Sequence, residues 1–168
     1  VNNTFATNQN SDASKCPFMQ KVTVHEEKTF YFMRHGQSEY NAAKANGLPD
    51  PLSWDAPLTS KGIQQATEAR KLVAELPRLD LIIVSPLRRA MHTMLLAFND
   101  RLHNTPVIVR AEVRERVSGG DDLGRNPEEL ARDFPMLDFS HLKKIWWYTG
   151  DENVQDTDPY ECRRRFGQ

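Results

Sequence analysis

Short apolar runs alternate with longer segments of helical periodicity from residue 29 onward. The runs at 30–33, 79–86 and 107–113 are rich in large apolar residues, as strands covered on both faces of a sheet are. Helical segments at 58–77 and 87–98 separate these runs. This alternation predicts an α/β domain in which helices cover both faces of a mostly parallel sheet, a three-layer α/β/α arrangement.

The helix predicted over 58–77 has clear signals at both ends. Thr59 is a good N-cap residue, and Pro77 closes the segment. We expect the apolar face of this helix to be buried; it carries Ile63, Ala66, Ala69, Val73 and Leu76.

Two later segments, 126–129 and 158–161, carry the same sequence signal for the start of a helix. Each has Asn or Asp as N-cap, then Pro at the first helical position and Glu at the third. The second start comes only a few residues before Gln168, and three strands are fewer than the usual about five or six in a sheet. We therefore expect the chain to be the front portion of a larger domain, truncated at its C-terminus.

Composition narrows the class of protein. The 168 residues are 39% hydrophobic and carry a net charge of −1, which fits one globular domain and offers no bulk attraction to nucleic acid or to an anionic membrane. No apolar run is long enough to span a membrane. Cys16 and Cys162 are far apart, so the sequence favours neither a zinc site nor a disulfide framework. We expect a cytoplasmic protein without nucleic-acid or membrane partners.

The chain divides into two unequal parts. Residues 1–20 are predicted to be a flexible leader, because they are rich in Asn, Ser and Thr and poor in large apolar side chains. Residues 21–168 are predicted to form the domain.

Polar and charged residues follow each predicted strand. Ligands of open parallel sheets bind beyond the carboxyl ends of the strands, so these residues are expected to converge on one crevice. Guanidinium groups match phosphate oxygens, and a neutral imidazole among them is suited to attack phosphorus. A nearby carboxyl group could act as general acid. The residues are Arg34, His35, Ser38 and Asn41 after the first strand, Ser85 and Arg89 after the second, and Arg114 and Glu115 after the third.

Four motifs occur in a fixed order: "RHGQSEYN", "DAPLTSKGIQQA", "SPLRRAMHT" and "EVRERVSGGDDLG". Together they resemble the successive motifs of the histidine phosphatase superfamily, in the branch related to phosphoglycerate mutase. The resemblance covers roughly residues 29–168. It implies a phosphoglycerate mutase-like fold and phosphoryl transfer through a covalent phosphohistidine, with no metal and no cofactor.

The resemblance also implies roles for single residues. His35 matches the nucleophile, and Arg34, Asn41 and Arg89 match phosphate ligands, to which we add Ser38. Glu115 matches the acidic residue that serves as proton donor. The neighbouring Glu112 is a weaker candidate for the same role.

One family feature has no counterpart in this sequence. Relatives carry a second active-site histidine in a His-Gly motif after a later strand. His141 has neither an apolar strand before it nor Gly after it, and His92 lies within a predicted helix. Asp121 and Asp122 could suggest a cation site, yet no metal-binding or nucleotide-binding motif accompanies them.

The expected activity is hydrolysis of a small phosphorylated metabolite, with phosphate or vanadate as competitive ligands. Hydrolysis is favoured over mutase chemistry because no segment is clearly dedicated to shielding a phosphoenzyme from water. Two alternatives stay open: a mutase-type phosphotransferase, and a non-catalytic phosphate-binding or scaffold protein. The oligomeric state is not predicted.

Overall fold

The computed structural model describes residues 19–25, 28–49, 51, 53–115 and 120–147. Along the chain it contains β1 (Met19–His25), β2 (Lys28–Met33), α1 (Glu39–Ala45), α2 (Ser60–Ala74), β3 (Ile82–Val84), α3 (Arg88–Ala97), β4 (Val107–Val109) and α4 (Pro127–Asp133). Short 3₁₀ turns lie at Ala111–Val113 and Gly120–Asp122. β1 begins at Met19, so the last two residues of the predicted leader belong to this strand. The helix expected at 158–161 lies outside the described residues.

A β–α–β unit forms the centre of the described fold. β3 and β4 pair in parallel, with Ile82 opposite Val107 and Val84 opposite Val109, and α3 connects the two strands. Parallel strands need such a crossover because a short hairpin cannot return the chain in the same direction. The domain therefore belongs to the α/β class, as the alternating pattern predicted.

The first predicted strand pairs differently from the expectation. β2 pairs antiparallel with β1, and among the described residues these two strands form a sheet of their own. Phe30 is 44% exposed and Phe32 57% exposed, so the prediction of a strand buried on both faces is wrong. Only the alternate residues Tyr31 and Met33 pack inward, against α2 and α3. A continuous apolar run allows a strand to be buried on both faces. Whether both faces are in fact buried depends on which elements pack against them.

The third predicted strand is shorter than expected. β4 ends at Val109, and a 3₁₀ turn at Ala111–Val113 carries the chain onward to Glu115. Because the strand ends early, the acidic candidate is positioned by a turn and not by the sheet edge.

Helix α2 follows its predicted boundaries closely. Thr59 is the N-cap, and its hydroxyl accepts the backbone N–H of Gly62 at 3.1 Å. Ala66, Ala69 and Val73 are buried as expected. Ile63 is 38% exposed, so its expected burial is wrong, and Gly62 lies on the buried face instead. Leu76 lies beyond the end of the helix and is half-buried.

The main hydrophobic cluster joins the β–α–β unit to the last described segment. Leu130 and Met91 are completely buried in it, and each such side chain contributes about 1.5–3 kcal/mol by leaving water. Trp146 belongs to this cluster and donates its indole N–H to the carbonyl of Arg125 at 2.7 Å. The other members are Ile82, Val84, Leu87, Met94, Val109, Phe134 and Phe139.

Helix α4 begins with the predicted capping box. The side chain of Asn126 accepts the N–H of Glu129 at 2.9 Å, and the Glu129 carboxylate accepts the N–H of Asn126 at 3.2 Å. Within the part of the chain that the structure describes, no helix has the length and apolar character that a membrane crossing requires.

Candidate active site

The loop at 34–38 connects β2 to α1 and packs tightly on the first turn of α2. A Cβ atom on Gly36 would lie 2.4 Å from the carbonyl oxygen of Gly62, and one on Gly62 would lie 2.1 Å from that of Gln37. The backbone N–H of Thr59 donates to the same Gln37 oxygen at 3.0 Å. Two glycines in different motifs therefore allow two backbones to touch, and this contact fixes the loop that carries His35.

His35 is half-buried in this loop and makes two directional contacts. Its Nδ1 lies 2.7 Å from the carbonyl oxygen of Gly36, and its Nε2 accepts the Nε–H of Arg89 at 3.2 Å. A carbonyl oxygen can only accept and a guanidinium can only donate. The ring is therefore assigned the neutral tautomer with its proton on Nδ1, which leaves the Nε2 lone pair directed toward Arg89.

The surroundings of His35 favour its neutral form. Burial lowers the pKa of the imidazole below its ordinary 6.5, and the positive charges of Arg89 and Arg34 lower it further. The hydrogen bond to the Gly36 carbonyl and the charge of Glu115 act in the opposite direction and do not reverse the shift. At neutral pH the uncharged form of the ring therefore predominates.

Arg89 is only 2% exposed, and two acidic residues hold its guanidinium. One terminal nitrogen donates to the backbone carbonyl of Asp121 at 2.6 Å, and the other donates to the carboxylate of Asp122 at 2.6 Å. A buried arginine needs such partners because an isolated charge would be costly to remove from water. The three contacts, with His35 as the third, fix the plane of the guanidinium.

Helix α3 is joined to the histidine loop at a second point. The hydroxyl of Thr93 accepts the backbone N–H of Gly36 at 3.0 Å and donates to the carbonyl of Arg89 at 2.7 Å. Thr93 lies one turn after Arg89, so its contact with Gly36 and the contact of Arg89 with His35 come from the same face of α3. The relative position of His35 and Arg89 is thus set by backbone as well as by side chains.

Three other predicted site residues lie in the same loop or in the helix that follows it. Arg34 is exposed, and its charge acts on the imidazole of His35. Ser38 is buried and is the N-cap of α1: its hydroxyl accepts the N–H of Asn41 at 3.2 Å. The side-chain oxygen of Asn41 in turn accepts the N–H of Ser38 at 3.3 Å. Ser38 and Asn41 therefore form a capping box that orients the start of α1 beside His35.

The two acidic candidates differ in their relation to His35. Glu115 is exposed, and its charge acts on the His35 imidazole. Glu112 instead forms an exposed ion pair with Arg110 at 3.6 Å. Of the two, only Glu115 has an electrostatic effect on the imidazole.

Some residues around the site were not predicted from the sequence. Asp121 and Asp122 were weighed only as a cation pair, yet the structure places them on Arg89. The signal that could have found them is the burial expected for Arg89 at the start of an apolar helix, since a buried guanidinium needs a carboxylate. Asp55 was also missed; it is completely buried and accepts the N–H of Arg88 at 2.8 Å. The side chain of Arg88 is half-buried near Asp133.

Two histidines considered for a second active-site role lie in other surroundings. His141 contacts the carbonyl oxygen of Val109, and His92 lies on α3, where burial lowers its pKa. Among the described residues, no group of three or more His, Cys, Asp or Glu side chains is arranged to hold a metal ion.

Comparison with known proteins defines the class. The model of the histidine phosphatase superfamily (branch 1) matches residues 30–165, and the chain belongs to this superfamily. The match includes the His35 loop, the start of α3 and Glu115. The resemblance inferred from the four motifs is thereby confirmed.

Individual relatives include both phosphatases and mutases. A Schizosaccharomyces pombe protein described as a probable phosphatase is 32% identical over 79% of this chain and 61% of its own length. A 2,3-bisphosphoglycerate-dependent phosphoglycerate mutase from Streptococcus uberis is 41% identical over 61% of this chain and 44% of its own length. A solved structure described as mycobacterial hydrolase 1 is 25% identical, with a TM-score of 0.39 over 61% of this chain and 45% of that chain. The chain thus spans about half the length of these relatives.

Proposed function

We propose that this chain carries the phosphoryl-accepting part of a phosphoric monoester hydrolase that acts on a small phosphorylated metabolite. The observation that carries the proposal is the contact between the Nε2 atom of His35 and the Nε–H of Arg89 at 3.2 Å. It unites a neutral nucleophile with a cation suited to phosphoryl oxygens. Membership of the histidine phosphatase superfamily and the similarity to a described phosphatase support it.

The first step forms a phosphohistidine. Arg89 and Arg34 hold the phosphoryl oxygens, with Ser38 and Asn41 beside them. The Nε2 lone pair of His35 attacks phosphorus in line, so the N–P bond forms as the ester P–O bond breaks. Glu115 gives its proton to the departing oxygen, which leaves as an alcohol.

The second step returns the enzyme to its starting state. A water molecule attacks phosphorus, the N–P bond breaks, and Glu115 accepts the proton that the water loses. Inorganic phosphate and neutral His35 are released. The Gly36 carbonyl accepts the Nδ1–H throughout, so it stabilises the positive charge that the ring gains while phosphorylated. Phosphate or vanadate is expected to compete for the same cationic groups.

The test uses the complete protein with p-nitrophenyl phosphate and a chelator. His35→Ala should lower turnover by about 10³-fold or more, because it removes the proposed acceptor of the phosphoryl group. Brief exposure to radiolabelled substrate should label the native protein at a site that acid cleaves and alkali spares, as phosphohistidine behaves. His103→Ala is the matched control, since His103 is exposed on a different turn. Turnover unchanged by His35→Ala would refute the proposal.

A mutase-type phosphotransferase is the second candidate, favoured by the 41% identity to the streptococcal phosphoglycerate mutase. The two activities share the phosphohistidine and differ in what accepts its phosphoryl group. Labelled phosphoenzyme should release inorganic phosphate in buffer if the protein is a hydrolase. If it keeps its label until a phosphorylated acceptor is added, the protein is a phosphotransferase. Binding of vanadate without any labelling would identify the non-catalytic alternative.

A further inference from the structure

Asp55 lies in the loop before α2, and its backbone and burial mark it as unusual. Its φ angle is +48°, and it is the one non-glycine residue in the described ranges with a positive φ. Aspartate adopts this left-handed region at less cost than most side chains. The residue is 0% exposed, so a carboxyl group has been removed entirely from water. Such a combination of backbone strain and polar burial calls for a compensating role.

The Asp55 carboxyl group caps α3 from a distant part of the sequence. Its Oδ1 atom accepts the backbone N–H of Arg88, the first residue of α3, at 2.8 Å. The N-cap residue of that helix is Leu87, which has no side chain able to accept this hydrogen bond. Asp55 therefore supplies a contact that a local Ser, Thr, Asn or Asp supplies in most helices.

The second carboxylate oxygen of Asp55 is also buried. Oδ2 accepts no hydrogen bond from the described residues, and the Nε atom of Arg125 lies 3.9 Å from it. The charges facing the carboxylate come from Arg88, Arg89 and Arg125. Burial outweighs these charges and raises the pKa of Asp55 to about 6. The helix contact through Oδ1 is thus kept at an energetic cost, as is common at functional sites.

We infer that Asp55 is a positioning residue for the proposed reaction: by holding the Arg88 N–H, it sets where α3 begins and so places the Arg89 guanidinium against His35. Arg89 directly follows the anchored residue, and its Nε lies 3.2 Å from the His35 Nε2. Thr93 fixes the same helix to Gly36 one turn further on. Asp55 and Thr93 together hold both ends of the helical turn that carries the guanidinium. This inference rests on the proposed function, because it concerns the same phosphoryl site.

The test compares two variants that fit the left-handed backbone. Asp55→Gly removes the carboxyl group without backbone strain, whereas Asp55→Asn keeps an oxygen that can accept the Arg88 N–H. In the complete protein, Asp55→Gly should lower kcat/KM by about 10- to 100-fold, since a misplacement of about 1 Å can cost that much. It should weaken vanadate binding in parallel. Asp55→Asn should stay within about threefold of the native protein. Asp80→Ala, at an exposed aspartate, is the control.

A double-mutant cycle separates positioning from general destabilisation. If Asp55 acts through Arg89, Asp55→Gly should cause no further loss of kcat/KM or vanadate affinity in an Arg89→Ala background. Additive losses would overturn the inference, as would an Asp55→Gly protein with native kcat/KM. If the glycine variant does not fold, Asp55→Ala is measured instead, because its methyl group cannot accept the Arg88 N–H.

The two proposals can fail separately. Turnover that is unaffected by His35→Ala would refute the proposed function. Turnover that depends on His35, combined with additive effects of Asp55 and Arg89, would refute the positioning role alone.

Discussion

The Nε–H of Arg89 donates to the Nε2 atom of His35 at 3.2 Å, although 54 residues separate the two in the chain. With the Gly36 carbonyl on Nδ1, this contact fixes the tautomer of the ring and directs its lone pair toward a buried cation. Burial, and to a smaller extent the charge of this guanidinium, lowers the pKa of the imidazole and favours its neutral form. In the proposed reaction the guanidinium transfers its hydrogen bond to a phosphoryl oxygen as the N–P bond forms.

Arg89→Ala should destabilise the protein more than the same substitution of an exposed arginine. The substitution removes the guanidinium that contacts the buried carboxylate of Asp122, and loss of one partner of a buried ion pair costs about 3–5 kcal/mol. Arg70→Ala is the matched control, because Arg70 pairs with Asp100 at the surface and such pairs contribute about 0–1 kcal/mol. Urea unfolding of both variants measures the difference. Equal losses would show that the buried pair is not a strong one.

The midpoint of the acid limb in the pH dependence of kcat/KM should lie below pH 6.5. Burial lowers the pKa of His35, so the neutral imidazole, which is the proposed nucleophile, persists at pH values where an ordinary histidine is charged. The same shift affects stability: between its folded and unfolded pKa values, His35 binds more protons when unfolded. Its contribution to stability is therefore complete above pH 6.5 and declines as the pH falls. An NMR titration of the imidazole checks the shift, and a midpoint above 6.5 would contradict it.

Asp55→Asn should change how stability depends on pH. The pKa of Asp55 rises from 3.8 to about 6 on folding, so the native state binds the extra proton between these values. Its contribution to stability is largest below pH 3.8, falls as the pH rises through 6 and is then constant. Asn cannot ionise, so the variant should gain stability over the native protein between pH 4 and 7, by about 2–3 kcal/mol at most. The midpoints of urea unfolding at pH 4 and pH 7.5 measure the stability of both proteins. The prediction is contradicted if the stability difference between variant and native protein is the same at the two pH values.

Gly62→Ala should disturb the histidine loop from outside it. The added Cβ would lie 2.1 Å from the Gln37 carbonyl oxygen, so one of the two backbones must move. We expect a loss of about 1–3 kcal/mol in unfolding free energy and a lower rate of the proposed reaction, since the displaced loop carries His35. Lys71→Gly tests the helix alone, because Lys71 is exposed, lies more than two turns after Gly62 in α2, and its replacement by Gly weakens the helix by about 1 kcal/mol. Native activity in Gly62→Ala would show that the loop adapts.

Asn126→Ala should affect stability and leave the proposed chemistry intact. Its side chain accepts the N–H of Glu129 at the start of α4, and removal of such a cap costs about 0.5–2 kcal/mol. Because the capping box lies outside the His35–Arg89 contact, kcat/KM of the folded fraction should be native. Thermal unfolding and activity of the same preparation check both statements. A selective loss of activity would place α4 closer to the site than its contacts indicate.

Signals confined to one helical turn could be read from the sequence. Thr59 starts α2 and Asn126 starts α4 as predicted, because an N-cap and its target N–H are three residues apart. The parallel pairing of β3 with β4 also followed from the order of strands and helices. The proximity of His35 and Arg89 was predicted because residues after neighbouring strands meet at one edge, even though β2 and β3 do not share a sheet in the described ranges.

The amino-acid sequence by itself determined the α/β class, the superfamily motifs and the residues expected to handle phosphate. Tertiary structure alone decided that β2 pairs with β1, that Ile63 faces outward and that Asp122 and Asp55 hold Arg89 and its helix. The physical reason is the range of each interaction. Periodicity and capping depend on neighbours within a few residues, whereas strand partners and the ions that compensate a buried charge come from anywhere in the chain. Local patterns contain no information about which carboxylate, distant in the sequence, will contact a buried cation.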